Sequence, residues 1–271
     1  MVAVLAPLDD WPVDTAAAGV TDADTTLEAR GAVDEVLPMA SVTKPLAAYA
    51  VLIAVQDGAL HLDEPAGPPG ATVRHLLAHA SGLNFEGGPL TGEPGARRVY
   101  SNTGFEVLGE LVAERVDAPF AQHVEHEVFA PLGMHDTVLD GSPAKDALGT
   151  VSDLLRFGRE LLAPTLLDPD LVRQATTVAF PGLGGVLPGH GRQQPNDWGL
   201  GFEIKDGKEP HWTGERLSPA SFGHFGQSGS FIVVDPQAHV AVASLADRPF
   251  GDWSRQAWPP LLDAVVDAYG R

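Results

Sequence analysis

From Pro45 to Val55 every position of this chain is apolar, so a helix there has no face to turn toward water and is buried on all sides. It stops near Gln56, before Asp57-Gly58. Upstream, short apolar alternations over Thr15 to Val20 and Thr25 to Arg30 predict antiparallel strands. From His61 to Asp146 the pattern turns helical and loop-rich. Val73 to His79 reads as a short helix stopped at Ser81-Gly82. Phe105, Leu108, Leu111, Val112 and Val116 recur at helical spacing and predict an amphipathic helix over Thr103 to Arg115, and Ala121 to Phe129 predicts a third. A further helix runs from Thr150 through Leu162. Beyond Trp198 come the clearest strands: Phe231 to Val234, a turn at Asp235-Pro236-Gln237-Ala238, and His239 to Ala243 form a hairpin. Leu261, Leu262, Val265, Val266 and Tyr269 predict a closing amphipathic helix behind Pro259-Pro260. Pro181 to Asp197, rich in Gly and Pro, reads as a surface loop able to shape a cleft. Strands at both ends with helices between them imply an α/β chain whose antiparallel sheet is assembled from N- and C-terminal segments around a helical middle.

The buried helix opens on Ser41-Val42-Thr43-Lys44. If the helix begins at Ser41, hydroxyl and amine lie one turn apart on the same face. Serine alone would serve as an N-cap, but a surface lysine in the first turn opposes the helix dipole. The chain has four lysines against thirteen arginines, and Lys44 is the only lysine before position 145. A lysine placed at the mouth of a buried helix beside a serine points to a catalytic pair. Ser142-Pro143-Ala144-Lys145 repeats the spacing but is followed by no apolar run, which marks it as a decoy.

Composition narrows the chemistry. There is no cysteine among the 271 residues, so disulfides, thiol nucleophiles and thiolate metal sites are excluded. A formal charge of −19 repels phosphate backbones and anionic lipid, so neither nucleic acid nor a membrane is an expected partner. The opening Met1 to Asp10 has no basic region and too short an apolar run for a signal peptide, which gives a cytoplasmic expectation. His75 and His79 stand at i and i+4, but no third ligand or Glu base sits at zincin spacing, so no metal is expected. His123 and His126, alternating with Glu125 and Glu127, read as a solvated face.

Two further segments carry chemistry. Tyr100-Ser101-Asn102 precedes a helix that Thr103-x-x-Glu106 can cap as a capping box, leaving Tyr100 and Asn102 free to move a proton and to hold a carbonyl or Lys44. Gly223-His224-Phe225-Gly226-Gln227-Ser228-Gly229-Ser230 lacks dinucleotide spacing and leads into a strand, where glycine marks close approach of a ligand to backbone.

In this order the three elements resemble the serine β-lactamase and penicillin-recognising hydrolase superfamily, in its class C, DD-peptidase and esterase branch. Ser41-x-x-Lys44 matches the first motif, Tyr100-x-Asn102 the second, and His224-x-Gly226 the third. Val73 to Leu83 and Pro131 to Thr137 are also family-like, and the resemblance runs from about Leu37 to Ala246. It implies a sheet of about five antiparallel strands flanked by helices, formed by residues 1–58 and 147–271. A helical subdomain would span 59–146, with the active site between the two. Ser41 would form an acyl-enzyme, and Lys44, with Tyr100, would take its proton. The N–H groups of Ser41 and Gln227 would bind the oxyanion, Asn102 would position substrate and Lys44, and His224 with Gly226 would form the cleft wall. No cofactor is implied. Substrates would be small esters, amides or β-lactams. Phe225 stands where penicillin-active members place a hydroxyl residue, so a carboxylesterase-like activity is expected ahead of a β-lactamase or D-alanyl-D-alanine peptidase. A penicillin- or acyl-binding sensor that does not turn over is the alternative of another class.

Overall fold

A computed structural model describes residues 3–271. The chain forms β1 (Ala16–Thr21), β2 (Thr26–Gly31) and a short β3 (Leu37–Pro38), then enters α1 (Thr43–Gln56) through a 3-10 turn at Ala40–Val42. α2 (Val73–Leu77), α3 (Asn102–Val116), α4 (Phe120–Val124) and α5 (Ala130–Leu132) follow, the last two joined by a π-helical turn at Glu125–Phe129. β4 (Val138–Leu139), β5 (Ala147–Gly149), α6 (Val151–Leu162) and α7 (Pro169–Ala175) lead to a hairpin of β6 (Gly185–Leu187) and β7 (Gly191–Gln193). β8 (Glu203–Ile204), β9 (Phe222–Gly226), β10 (Ser230–Asp235), β11 (Val240–Ala246) and α8 (Asp252–Tyr269) complete the chain.

The main sheet is antiparallel, in the order β2-β1-β11-β10-β9-β8, so the first strand lies beside the last. Both faces of its centre are covered, which is why β10 and β11 are buried throughout and apolar except at Ser230, Asp235 and Ser244. On one face Ile232, Val234, Ala241 and Ala243 join the core formed by α1 and α6. On the other, Phe231, Val233 and Val242 pack with Trp258, Leu261, Leu262 and Val265 of α8. Glycine allows α6 to lie close on the sheet: a Cβ on Gly158 would come within 2.9 Å of Ala241, and one on Gly19 within 2.6 Å of Leu155. Helix α1 is buried from Thr43 to Ala54, as its uniform pattern requires, and α2, α3 and α4 gather around it and one another. Among the described residues no helix is long and apolar enough to cross a membrane.

The expected antiparallel sheet of about five strands has six, the two residues of β8 adding an edge too short to read from pattern. Three expectations need correction. Helix α8 does not begin behind Pro259-Pro260 but runs through them from Asp252. Trp253 and Trp258 bury ahead of the prolines and extend the packed stripe, while the carbonyls left without an N–H partner belong to the exposed Arg255 and Gln256. Helix α3 is capped by Ser101, whose Oγ accepts from Gly104 N at 3.0 Å, so the Thr103-x-x-Glu106 box is not used and Glu106 accepts from the Ser142 hydroxyl instead. His123 is not solvated: it points inward and its Nε2–H donates to Ala50 O at 3.0 Å, whereas Glu125 and His126 are exposed. Pro181 to Asp197 lies where a cleft-shaping loop was expected, though β6 and β7 give it regular structure.

Candidate active site

Ser41 sits in the 3-10 turn that precedes α1, and this turn is held from two sides. Met39 N donates to Ala147 O at 2.9 Å, and Ser230 Oγ donates to Met39 O at 2.7 Å. Thr43 Oγ1 donates to Ala40 O at 2.6 Å and accepts from Ala147 N at 2.9 Å. Ala40 is left-handed at φ +45°, a cost that persists only because its neighbours over-determine it. The strained turn carries Ser41 out of the helix axis, so its hydroxyl is not spent as an N-cap. Gly226 closes against the same turn: a Cβ there would lie 2.5 Å from Met39 O, so only glycine brings β9 this close.

Lys44 is fully buried, yet no carboxylate touches it. Its Nζ lies 2.6 Å from Asn102 Oδ1, 2.9 Å from Ala144 O and 3.4 Å from Ser41 Oγ. The amide and peptide oxygens can only accept, so they take two N–H bonds and leave the third direction facing the serine hydroxyl. Burial pushes the amine well below the usual lysine range, and the more distant Glu86 only partly opposes this. A neutral amine in this setting presents its lone pair to Ser41.

The orientation of Asn102 follows from its other partner. Asn102 Nδ2 donates to Glu86 Oε1 at 2.7 Å, and since a carboxylate only accepts, Oδ1 must face Lys44. Glu86 is itself 3.3 Å from Lys145 Nζ. The decoy segment therefore belongs to the site: Ala144 supplies a carbonyl to Lys44, Lys145 pairs with Glu86, and Ser142 is bound to Glu106 instead of being a nucleophile.

Tyr100 and His224 form the opposite wall, with the phenol oxygen 3.4 Å from His224 Nε2. His224 Nδ1 is 2.6 Å from Phe225 O, which only accepts, so Nδ1 carries the proton and Nε2 accepts from Tyr100. Burial, reinforced by Lys44, lowers His224 to about 3, so it stays neutral. Burial also raises the Tyr100 phenol above its usual range, although the ring edge remains open to the cleft. The rings of His79 and Trp198 pack on Tyr100 at 4.6 and 5.8 Å, and Lys44 Nζ lies 4.5 Å from its ring centre. His79 is not an i+4 partner of His75 on a helix face, because α2 ends at Leu77 and His79 turns left-handed into the core. Its Nδ1 accepts from Ser101 N at 3.1 Å.

Ser41, Gln227 and His224 line a chamber of about 300 Å³ with Phe85, Leu187, Trp198 and Phe225. Among the described residues, neither the Ser41 nor the Gln227 N–H donates to a backbone carbonyl. All seven residues singled out in the sequence thus meet around this turn or on its walls. The pattern gave no sign of Glu86, Ala144, Trp198 or Glu203, which also border the site. Glu203 is an isolated acid in a two-residue strand, and its surroundings are assembled only by folding. Arg98 was equally silent: its buried guanidinium donates to Ala78 O, Asn196 O and Ala179 O, tying three loops behind Tyr100.

A half-buried serine with a buried lysine one turn on, beside β9 of an antiparallel sheet and flanked by a helical cluster, defines a class of serine hydrolase. The chain belongs to the β-lactamase family: the profile described as Beta-lactamase matches residues 2–267. A crystal structure of a β-lactamase from Mycobacterium bovis is 50% identical, covers 99% of this chain and 100% of that one, and superposes with a TM-score of 0.98. A hydrolase with promiscuous acyltransferase activity shares the fold at 17% identity and a TM-score of 0.80, over 97% of this chain and 96% of that one. A Salmonella schwarzengrund protein, assigned by name only as a D-alanyl-D-alanine carboxypeptidase, is 25% identical over 206 residues. That match takes in 59% of this chain, which spans about half the length (48%) of the curated relative.

Proposed function

We propose that this β-lactamase-family serine hydrolase acts as a carboxylesterase on small acyl esters, through an acyl-enzyme on Ser41, in a cleft between the sheet and the 59–146 helical region. The observation that carries the reading is the environment of Lys44, a buried amine with two obligate acceptors, no carboxylate and the Ser41 hydroxyl in its third direction. Ser41 Oγ attacks the carbonyl carbon while its proton moves to Lys44 Nζ. The N–H groups of Ser41 and Gln227 receive the oxyanion. The acyl C–O bond then breaks, and the departing alkoxide takes the proton back from Lys44, with Tyr100 at its side. Water attacks the acyl group, gives its proton to Lys44, and Ser41 leaves with that proton. The neutral Tyr100 phenol, hydrogen-bonded to His224, supports Lys44 as the principal base. Asn102 holds the amine in place, and Gly226 lets β9 reach the reacting carbonyl.

Preference for esters over lactams rests on Phe225. It is buried against Phe250, ring centres 4.8 Å apart, and turns an apolar surface to the chamber where a hydroxyl would hold a lactam carboxylate. The half-identical M. bovis protein, described as a β-lactamase, favours lactam hydrolysis as the second reading. Short-chain p-nitrophenyl esters should therefore exceed nitrocefin in kcat/KM by roughly tenfold to a hundredfold, the effect of one charge-assisted hydrogen bond. Mass mapping after an alkyl fluorophosphonate should place the adduct on Ser41. Equal nitrocefin turnover reverses the ranking, a single stoichiometric burst assigns an acyl-binding sensor, and an adduct elsewhere removes the mechanism.

A further inference from the structure

Beyond Tyr100 the chamber opens into a second cleft of about 780 Å³, bounded by residues 85–100 on one side and the β6–β7 hairpin on the other. Phe85, Tyr100 and Pro188 line both spaces, so the two adjoin at the group that stands beside the departing alkoxide. The floor is built, not incidental: Arg98 N donates to Gly184 O at 2.9 Å and joins the two banks. Phe85 and Val186, 48% and 61% exposed, present apolar surface to it.

The charge of this cleft is opposite to that of the protein. The chain carries −19, and its exposed arginines Arg115, Arg156, Arg173, Arg216, Arg255 and Arg271 each have a carboxylate at 3.5 Å or closer. Among the described residues Arg97, Arg192 and Arg248 are exposed without such a partner, and Arg248 is engaged with Pro12 O. The other two both line this cleft. Arg97 spends one N–H on Thr91 O at 2.6 Å and keeps the rest. Among the described residues no acidic side chain lines this cleft, and Glu86, next to Phe85 in the chain, is held by Asn102 and Lys145. Two unneutralised guanidinium groups over an apolar floor fit a ligand with an apolar stem and an anionic end.

We infer that this outer cleft seats the leaving-group arm of the substrate, and that the arm ends in a carboxylate or phosphate held by Arg97 and Arg192. The inference rests on the acyl-transfer reading of Ser41 and names its substrate class: esters whose alcohol carries a remote anion. Phe225 lines the inner chamber and not this cleft, so its apolar surface does not oppose an anion here.

Four butyrate esters of para-substituted phenols test it, with side chains ending in a carboxylate, a phosphate, a neutral amide or an ammonium. The charge is remote from the phenol oxygen, so the leaving-group chemistry is nearly constant across the series. In low salt the anionic esters should exceed the amide by about tenfold in kcat/KM, and the ammonium ester should fall below it. The advantage should shrink at high ionic strength. In the Arg97→Gln/Arg192→Gln double variant the anion-to-amide ratio should fall to about one. The better of the carboxylate and phosphate esters identifies the terminal group. The corresponding free phenols are also titrated by calorimetry into Ser41→Ala, where anions should again bind more tightly. No charge preference in either assay, or a preference that survives the double variant, overturns the inference. Anion-selective binding of the phenols to Ser41→Ala, with none of the esters hydrolysed by the wild type, sinks the hydrolase reading and leaves the cleft assignment standing.

Discussion

Two lysines of this protein are withdrawn from water, and their surroundings differ in one respect that decides what each does. Lys208 Nζ is 2.6 Å from Glu203 Oε1, with Asp197 O at 2.6 Å and Ile204 O at 2.5 Å. Lys44 Nζ has an amide oxygen, a peptide oxygen and a hydroxyl. Burial lowers both amines, but the Glu203 carboxylate stands directly against Lys208 and resists the shift, whereas nothing of that kind touches Lys44. Glu203 is in turn held well below the usual carboxylate range by His211 and Lys208 despite its burial, and it also accepts from Trp212 Nε1. Lys208 is thus one half of a closed ion pair that ties the 197–212 segment together. Lys44 is a buried amine that no carboxylate neutralises. Burial alone does not make a base; burial without a counter-ion does.

The same substitution at the two positions should have opposite consequences. Lys44→Met should lower the single-turnover acylation rate by on the order of 10²–10⁴-fold, the usual contribution of a positioned base. It should cost no more than about 2 kcal/mol in a urea titration, since it leaves only neutral acceptors unpaired. A variant that acylates at the wild-type rate removes Lys44 from the mechanism. Lys208→Met should instead lose about 3–5 kcal/mol of folding free energy, because Glu203 is left charged and buried. Glu203→Gln/Lys208→Met should recover part of that loss, and a single variant as stable as the wild type contradicts the account of the pair. A smaller effect comes from making the Lys44 site resemble the other. Asn102→Asp places a carboxylate on Lys44 Nζ and raises its pKa. A base works only above its own pKa, so the acid limb of the acylation profile should move to higher pH by about one unit. An unmoved or acid-shifted limb counts against a neutral Lys44 as the acceptor.

The lysine beside Ser41 was legible in the sequence and the one paired with Glu203 was not, for a physical reason. Ser41 and Lys44 are close in sequence and sit at the mouth of an apolar helix, so spacing and pattern carry their meaning. Glu203 and Lys208 are an unremarkable acid and base on a two-residue strand and its following loop, and only tertiary packing removes them from water. The hairpin of β10 and β11 and the amphipathic α3 were readable from pattern, and a helix at α6 was expected from Thr150 through Leu162. The start of α8 was not, because proline ordinarily marks a first turn and here packing of Trp253 and Trp258 outweighs that preference. Ser101, not the Thr103–Glu106 pair, caps α3, since Glu106 is engaged by Ser142, a contact that joins residues 36 apart. For the same reason Glu86 and Ala144, which set the orientation of Asn102 and Lys44, left no mark in the local pattern.

The pinning of the Ser41 turn has a consequence for biosynthesis. Met39 and Ser230, which hold that turn through a hydrogen bond, are 191 residues apart, and β1 acquires its inner neighbour only when residues 240–246 exist. A chain emerging from the ribosome presents Ser41 and Lys44 early, but His224, the Gln227 N–H and the strand that anchors the turn come from its final quarter. Such long-range pairing is formed late in folding. Ser41 and Lys44 therefore wait for the strand that anchors their turn until the last quarter of the chain is made, and a fragment ending before β9 lacks His224 and Gln227 altogether.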